Sequence, residues 1–314
     1  MKRRDFLTSA AIGAAGISLA GQPFPLSAAQ QGRNPITVFT KCLQFLNYEE
    51  VGEVLAETGF NGADMPVRPG GQVLPENVAT DLPKAVKALQ KSGITLPMIT
   101  TAIMDPDDTF TEKILAAAAG NGVKYYRMGW MPYDEKKSII QNLDDLQKTF
   151  ARLEKINRKY KIRGEYQNHS GKRVGGPVWD LYHILKDIDP EYIGVQYDVR
   201  HATAEGGISW PLGMQLLAPW IGTTDIKDFH WFKDPKGMWR IKNVPLGEGM
   251  VDYDTYMKEY KKLDISDPVS IHYEYDLGGA ESGSKTTTMP LSEIKTWMKK
   301  DIQFLRNKFN QYQI

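Results

Sequence analysis

From about residue 36 onward, short runs of apolar, β-branched and aromatic residues alternate with longer stretches in which apolar positions recur every three or four residues. The first pattern predicts strands at 36–40, 60–65, 96–102, 125–129, 162–167, 193–198, 221–227 and 269–275. The second predicts helices at 48–58, 82–92, 111–119, 135–160, 178–187, 253–263 and 291–309, with a shorter, less regular one near 210–218. Strands alternating with helices imply right-handed βαβ units on a parallel sheet. Eight such units imply an α/β fold, a single (β/α)8 TIM barrel over residues 30–314. An open nucleotide-binding sheet is the alternative, but no Gly-rich phosphate fingerprint follows the first strand.

A barrel of this kind carries its reactive groups where the strands end and the βα loops begin. Four strands bring an acid there: Glu165, Asp198, Asp225 and Glu274. Side chains alternate along a strand, so His272 shares a face with Glu274, and Asp225 with Lys227, while Ile226, Ile271 and Tyr273 face the helices. Carboxylates converging in a partly desolvated mouth either rise in pKa or gather a cation. Oxygen donors suit Mg²⁺ or Mn²⁺, and nearby histidines favour Mn²⁺, with Co²⁺ and Zn²⁺ also compatible. A divalent metal held by Glu165, Asp198, Asp225 and Glu274 is therefore the expected cofactor.

Composition narrows the function further. The formal net charge is +1, and the first 29 residues contribute Lys2, Arg3, Arg4 and Asp5. Removing their net +2 leaves −1, too little for a nucleic-acid partner. The single cysteine, Cys42, excludes an intrachain disulfide and a multi-cysteine zinc site, and reads as a small buried hydrophobe. Lys2-Arg3-Arg4-Asp5-Phe6-Leu7, an Ala/Gly-rich apolar run and Ser27-Ala28-Ala29 have the layout of a secretory signal. The paired arginines are similar to a twin-arginine (Tat) signal, which implies a leader over 1–29, export to the periplasm after folding, and no membrane attachment once the leader is removed.

The stretch from about residue 36 to the last helix resembles the xylose-isomerase-like barrel superfamily of sugar isomerases and epimerases, which includes endonuclease IV relatives. The resemblance is carried by Glu165-x-x-Asn168-His169, Asp198-x-x-His201, Lys227-Asp228, Pro245-Leu246-Gly247-Glu248-Gly249 and Glu274. It implies a metal-chelated keto sugar or related polyol, with Glu165 and Glu274 removing and returning a proton through an enediolate. It also places His201 and His169 against the substrate. Lys227 would bind a substrate oxygen or neutralise Asp225. Relatives usually have a histidine ligand two residues before Lys227; Asp225 stands there instead, which makes an all-carboxylate set.

Trp130, Trp210, Trp231, Phe232 and Trp239 fall in or near βα loops, and Trp130 is the one placed in the sugar pocket. The enlarged segment 230–249 reads as a lid or a contact between copies in a homo-oligomer. The function expected first is a metal-dependent sugar isomerase or epimerase acting on a small carbohydrate. Alternatives on the same site are a lyase that β-eliminates from 3-keto-glycosides and a non-catalytic sugar-binding barrel. An endonuclease IV-type site is disfavoured, since it needs many histidines and the chain has five.

Overall fold

Eight parallel strands close on one another in the expected order, in a computed structural model that describes residues 35–266 and 268–314. The segment read as an export signal lies outside the described residues. The barrel strands are β1 (Ile36–Phe39), β2 (Gly62–Pro66), β3 (Thr95–Thr100), β4 (Tyr125–Arg127), β5 (Arg163–Glu165), β6 (Ile193–Asp198) and β7 (Ile221–Ile226). An antiparallel hairpin follows, β8 (Asp228–Lys233) and β9 (Trp239–Val244), and then β10 (Val269–Ile271) closes the ring between β7 and β1.

Around the ring pack α1 (Tyr48–Thr58), α2 (Val78–Lys91), α3 (Thr111–Gly120), α4 (Ile139–Tyr160), α5 (Trp179–Leu185), α6 (Val199–Gly206), α7 (Trp210–Leu217), α8 (Tyr253–Lys262) and α9 (Leu291–Tyr312). Outward-facing strand residues hold these helices to the sheet. Tyr126, Tyr166 and Tyr197 are fully buried, and Tyr126 Oη donates to Asn157 Oδ1 of α4 at 3.0 Å. Burying one large side chain of this kind stabilises the fold by about 1.5–3 kcal/mol.

Three differences from the sequence reading have local causes. Helix α4 starts at Ile139 rather than 135 because Ser138 and Gln141 form a reciprocal capping box. Helix α6 begins directly after Asp198, whose carboxylate caps it by accepting from His201 N at 3.1 Å. The segment expected as a loop or lid is the β8–β9 hairpin, paired from Asp228↔Val244 to Lys233↔Trp239. Beyond Phe229 its first strand is exposed at every residue, so no alternating apolar face announces it. The hairpin base is anchored by Asp228, which accepts from the backbone N–H of Phe229 (2.9 Å), Gly247 (3.0 Å), Gly249 (3.0 Å) and Val251 (3.1 Å).

Inside the barrel, the lower layer is polar. Arg163 Nε pairs with Glu165 Oε1 at 2.8 Å, and Arg163 Nη2 donates to Trp220 O at 2.6 Å. Facing them are Gly194 and Gly222; a Cβ at Gly194 would strike the guanidinium, and one at Gly222 the Glu165 carboxylate. Gly222→Ala is expected to destabilise the barrel by about 1–3 kcal/mol through overpacking, read as a lower urea midpoint. An unchanged midpoint would show that the ion pair has room to move.

A second buried acid ties α9 to the hairpin loop. Asp301 accepts from Leu246 N (3.2 Å) and from Tyr275 Oη (2.9 Å). Burial pushes its carboxyl up to about 7 despite those two hydrogen bonds. A carboxyl raised above its unfolded value contributes stability that is present below about pH 4 and lost as the pH rises through about 7. Asp301→Asn keeps an acceptor for Leu246 and cannot ionise. The wild type is therefore expected to lose melting temperature between pH 5 and 8 by more than the variant, and identical pH slopes would remove Asp301 from this role.

Candidate active site at the strand ends

Asp198 ends β6, and Asp225 lies beside it in register on β7. Lys227 follows on the same face of β7, fully within the mouth. Its Nζ lies 2.9 Å from Asp198 Oδ2, 3.0 Å from Glu274 Oε1 and 3.1 Å from His201 Nε2. An ammonium has three N–H donors, and here three acceptors meet them. Burial works against the charge on Lys227, but Asp198, Glu274 and Asp225 outweigh it and raise the ammonium above its ordinary value. It is held as a cation.

Asp225 is satisfied from three sides. Gln167 Nε2 donates to its Oδ2 by a short contact, Gln196 Nε2 donates to Oδ1 at 2.6 Å, and His272 Nε2 lies 3.0 Å from Oδ1. Gln167 Nε2 also reaches Asp198 Oδ2 at 2.9 Å. Burial would lower the His272 imidazole, but the charge and hydrogen bond of Asp225, helped by Asp64, raise it. His272 thus supplies a second cation under the mouth, 4.8 Å from the Phe39 ring.

Glu274 sits at the rim, its side chain 25% exposed. Burial alone would raise its carboxyl, yet Lys227, Lys41 and His272 hold it well below the usual carboxylate range. His201 is pulled well below its ordinary value by burial and by the neighbouring Lys227 and His169, so it is neutral. Its Nε2 lies 3.1 Å from Lys227 Nζ, and its Nδ1 lies 2.7 Å from Arg200 Nη1 and 2.9 Å from Ser170 Oγ. His169 stacks on it at 4.0 Å between ring centroids and is lowered to about 4, chiefly by burial and then by Lys227. Trp130 meets His169 edge-on at 4.8 Å. These three rings form a neutral wall beside the ammonium.

The structure therefore brings together Asp198, Asp225, Lys227, His201, Glu274, His169 and Trp130 as expected from sequence. It does not bring Glu165. On β5, Glu165 pairs in register with Gly194, four residues before Asp198, and its carboxylate is taken by Arg163 in the layer below. Gln167, two residues on and therefore on the same face, occupies the level at which Glu165 was expected. Alternation alone contained that signal, since the strand expected from sequence runs to 167 and Gln167 shares the face of Glu165. Gln196 was the other omission, reachable by counting two back from Asp198, while His272 was placed on the face of Glu274 without a role. Asn168 is a clamp between strands: it accepts from Asp198 N at 2.8 Å and donates to Asp198 O at 3.0 Å.

The expected divalent ion does not fit this donor set. Among the described residues no group of three or more His, Cys, Asp or Glu side chains is arranged to hold a metal. Asp198 and Glu274 converge on the Lys227 nitrogen instead, and Asp225 is covered by two amides and an imidazolium. A further cation about 4 Å from Lys227 would meet repulsion of about 4 kcal/mol per unit charge at an effective dielectric of ~20.

No curated protein matches the sequence. Among solved structures the barrel is similar to D-psicose 3-epimerase with D-tagatose from Clostridium cellulolyticum H10, at 11% identity and TM-score 0.65, covering 87% of this chain and 98% of that one. It is likewise similar to 3-keto-D-glucoside 4-epimerase from E. coli (11%, TM-score 0.62, 87% and 99%) and to a probable 3-DHS dehydratase from Bacillus anthracis (15%, TM-score 0.63, 86% and 98%). Likeness at these identities concerns the fold. A family model described as xylose isomerase-like TIM barrel matches residues 53–308, and the chain belongs to that family.

Proposed function

We propose that this chain is a carbohydrate isomerase that moves a proton between adjacent carbons of a keto sugar or related polyol, with the Lys227 ammonium in the role expected of a divalent ion. The observation that carries the reading is the three-way sharing of Lys227 by Asp198, Glu274 and His201 at the strand ends. Family membership supports a sugar substrate, and the N-terminal pattern supports one met outside the cytoplasm.

A substrate carbonyl oxygen takes a donor from Lys227, and the partner best able to yield is Glu274, the one at the rim. Glu274, released from its ion pair, regains basicity and removes the proton from the carbon next to the carbonyl. The negative charge moves to the carbonyl oxygen, where Lys227 stabilises it in a partly dehydrated site. Lys227 passes one proton to that oxygen and recovers one from the neighbouring hydroxyl. Glu274 then returns its proton to the former carbonyl carbon. The C–H bond broken and the C–H bond formed lie on one face of the sugar. A two-base epimerisation would need a second carboxylate on the opposite face, and Glu165 lies one layer too deep for that role.

Two measurements test the proposal. In D₂O with a panel of ketoses and aldoses, the wild type is expected to incorporate deuterium at the carbon next to the carbonyl. Glu274→Gln is expected to abolish that exchange while keeping the fold, and Lys227→Met to reduce it by about 10²–10³-fold. Lys227→Met strands the buried Asp198 charge at a cost of about 3–5 kcal/mol, so Lys227→Met/Asp198→Asn serves as the folded control. Near-normal exchange in Glu274→Gln would end its assignment as base. Separately, exhaustive chelation is expected to leave the rate within about twofold, the scatter of a small perturbation. A rate lost on chelation and restored by Mn²⁺ would instead establish metal-dependent chemistry.

A further inference from the structure

Next to Glu274, across the junction of β10 with β1, the mouth holds further cations. Around the Phe39 ring, at the end of β1, gather Arg68 Cζ at 5.3 Å, Arg127 Cζ at 5.6 Å and Lys41 Nζ at 5.8 Å. They come from the ends of β1, β2 and β4. None of the three forms an ion pair with a described carboxylate within 4.0 Å, although all three lie over the same ring. The nearest acids are engaged elsewhere: Asp64 accepts from Thr100 Oγ1 (2.9 Å) and Ser270 Oγ (3.2 Å), and Glu274 pairs with Lys227.

Arg127 is the buried member, 3% exposed. Its Nη1 donates to Gln167 Oε1 at 3.1 Å, while its buried Nε has no hydrogen-bond partner. Its guanidinium lies 4.3 Å from the Trp130 ring, and the buried Trp130 Nε1 is also without an acceptor. Unpaired donors beside unpaired cations are costly arrangements that an oxyanion relieves. The cations depress one another as well: burial lowers Lys41, Arg68 and Arg127, and the Arg68 charge lowers both Lys41 and Arg127 further.

We infer that Lys41, Arg68 and Arg127 form an anion subsite, and that the substrate is an acidic sugar carrying a carboxylate or phosphate group away from the reacting carbon. Arg127 supplies a planar fork for two oxygens, Lys41 and Arg68 supply charge from the rim, and the faces of Phe39 and Trp130 line the space between this subsite and the proton-transfer centre. The inference rests on the reading of the mouth as a sugar site and adds the substrate class to it.

The test is melting temperature of the full chain in D-glucuronate, D-glucose 6-phosphate and D-glucose, at ionic strength matched with chloride. Charge-assisted hydrogen bonds predict that one acidic sugar stabilises the protein at concentrations about tenfold to a hundredfold below D-glucose. Whichever acidic sugar does so distinguishes carboxylate from phosphate. Lys41→Ala and Arg68→Ala should each remove most of that advantage without lowering the unliganded melting temperature, because each deletes an unpaired cation. Equal effects of acidic and neutral sugars, no stabilisation by either acidic sugar, or an advantage that survives both substitutions would overturn the subsite. Glu274→Gln separates the two proposals: it should keep the acidic-sugar advantage while losing deuterium exchange. Exchange present without the advantage would reject the subsite alone, and the advantage present without exchange would reject the isomerase alone.

Discussion

The upper layer of this barrel is organised by one buried ammonium. Lys227 is buried from solvent, so its three N–H groups must be met by protein, and three different segments supply the acceptors: the end of β6, the first turn of α6 and the loop after β10. That requirement draws the segments together. It also sets the character of its neighbours. Asp198 stays a partner of the ammonium, His201 must present a lone pair and so remains neutral, and Glu274 is held as a carboxylate at the rim. The second buried pair, His272 with Asp225, repeats the same solution one step lower.

Acidic and basic groups are not mixed evenly across the mouth. Asp198, Asp225 and Glu274 lie on the β6, β7 and β10 side, where two buried cations answer them. Arg68, Arg127 and Lys41 lie on the β1, β2 and β4 side, around one aromatic ring. A ligand lying across the opening would thus meet the carboxylates around Lys227 on one side and the cations around Phe39 on the other. Lower in the barrel, Arg163 and Glu165 satisfy each other in space left by Gly194 and Gly222, and so insulate the mouth from the opposite end.

Much of this was legible in the residues. Eight strands and their order follow from apolar runs separated by helical periodicity, a signal summed over many residues. Six acids and bases of the mouth, Asp198, Asp225, Lys227, His201, His169 and Glu274, could be placed because each stands at a strand end or within the next turn. Glu165 was misplaced by one layer, since a motif records spacing along the chain but not depth in a barrel whose strands are staggered. The hairpin was missed because its first strand is exposed beyond Phe229 and its second is nowhere fully buried. The unpaired cations were invisible for a different reason: Arg68 and Arg127 are far in sequence from Phe39 and Lys41, and only closure of the ring brings them together.

Asp225 and Lys227, two residues apart on one face of β7, set the charge balance of the mouth. A neutral histidine at 225 would leave the layer two units of negative charge from Asp198 and Glu274, which a dication balances. Aspartate there adds a third negative charge, and the described structure balances three with Lys227 and His272 beneath the mouth and Arg127 beside it. Each cation is covalently part of the chain, so its position is fixed by packing rather than by a binding equilibrium. The cost is that an ammonium carries one charge and donates hydrogen bonds in fixed directions, where a dication would polarise two oxygens at once. On the proposed reading, a substrate held by Lys227 alone would be less firmly oriented, and orientation would have to come from elsewhere in the mouth. The cations around Phe39, with Trp130 between them and the neutral histidine wall, are placed to supply it.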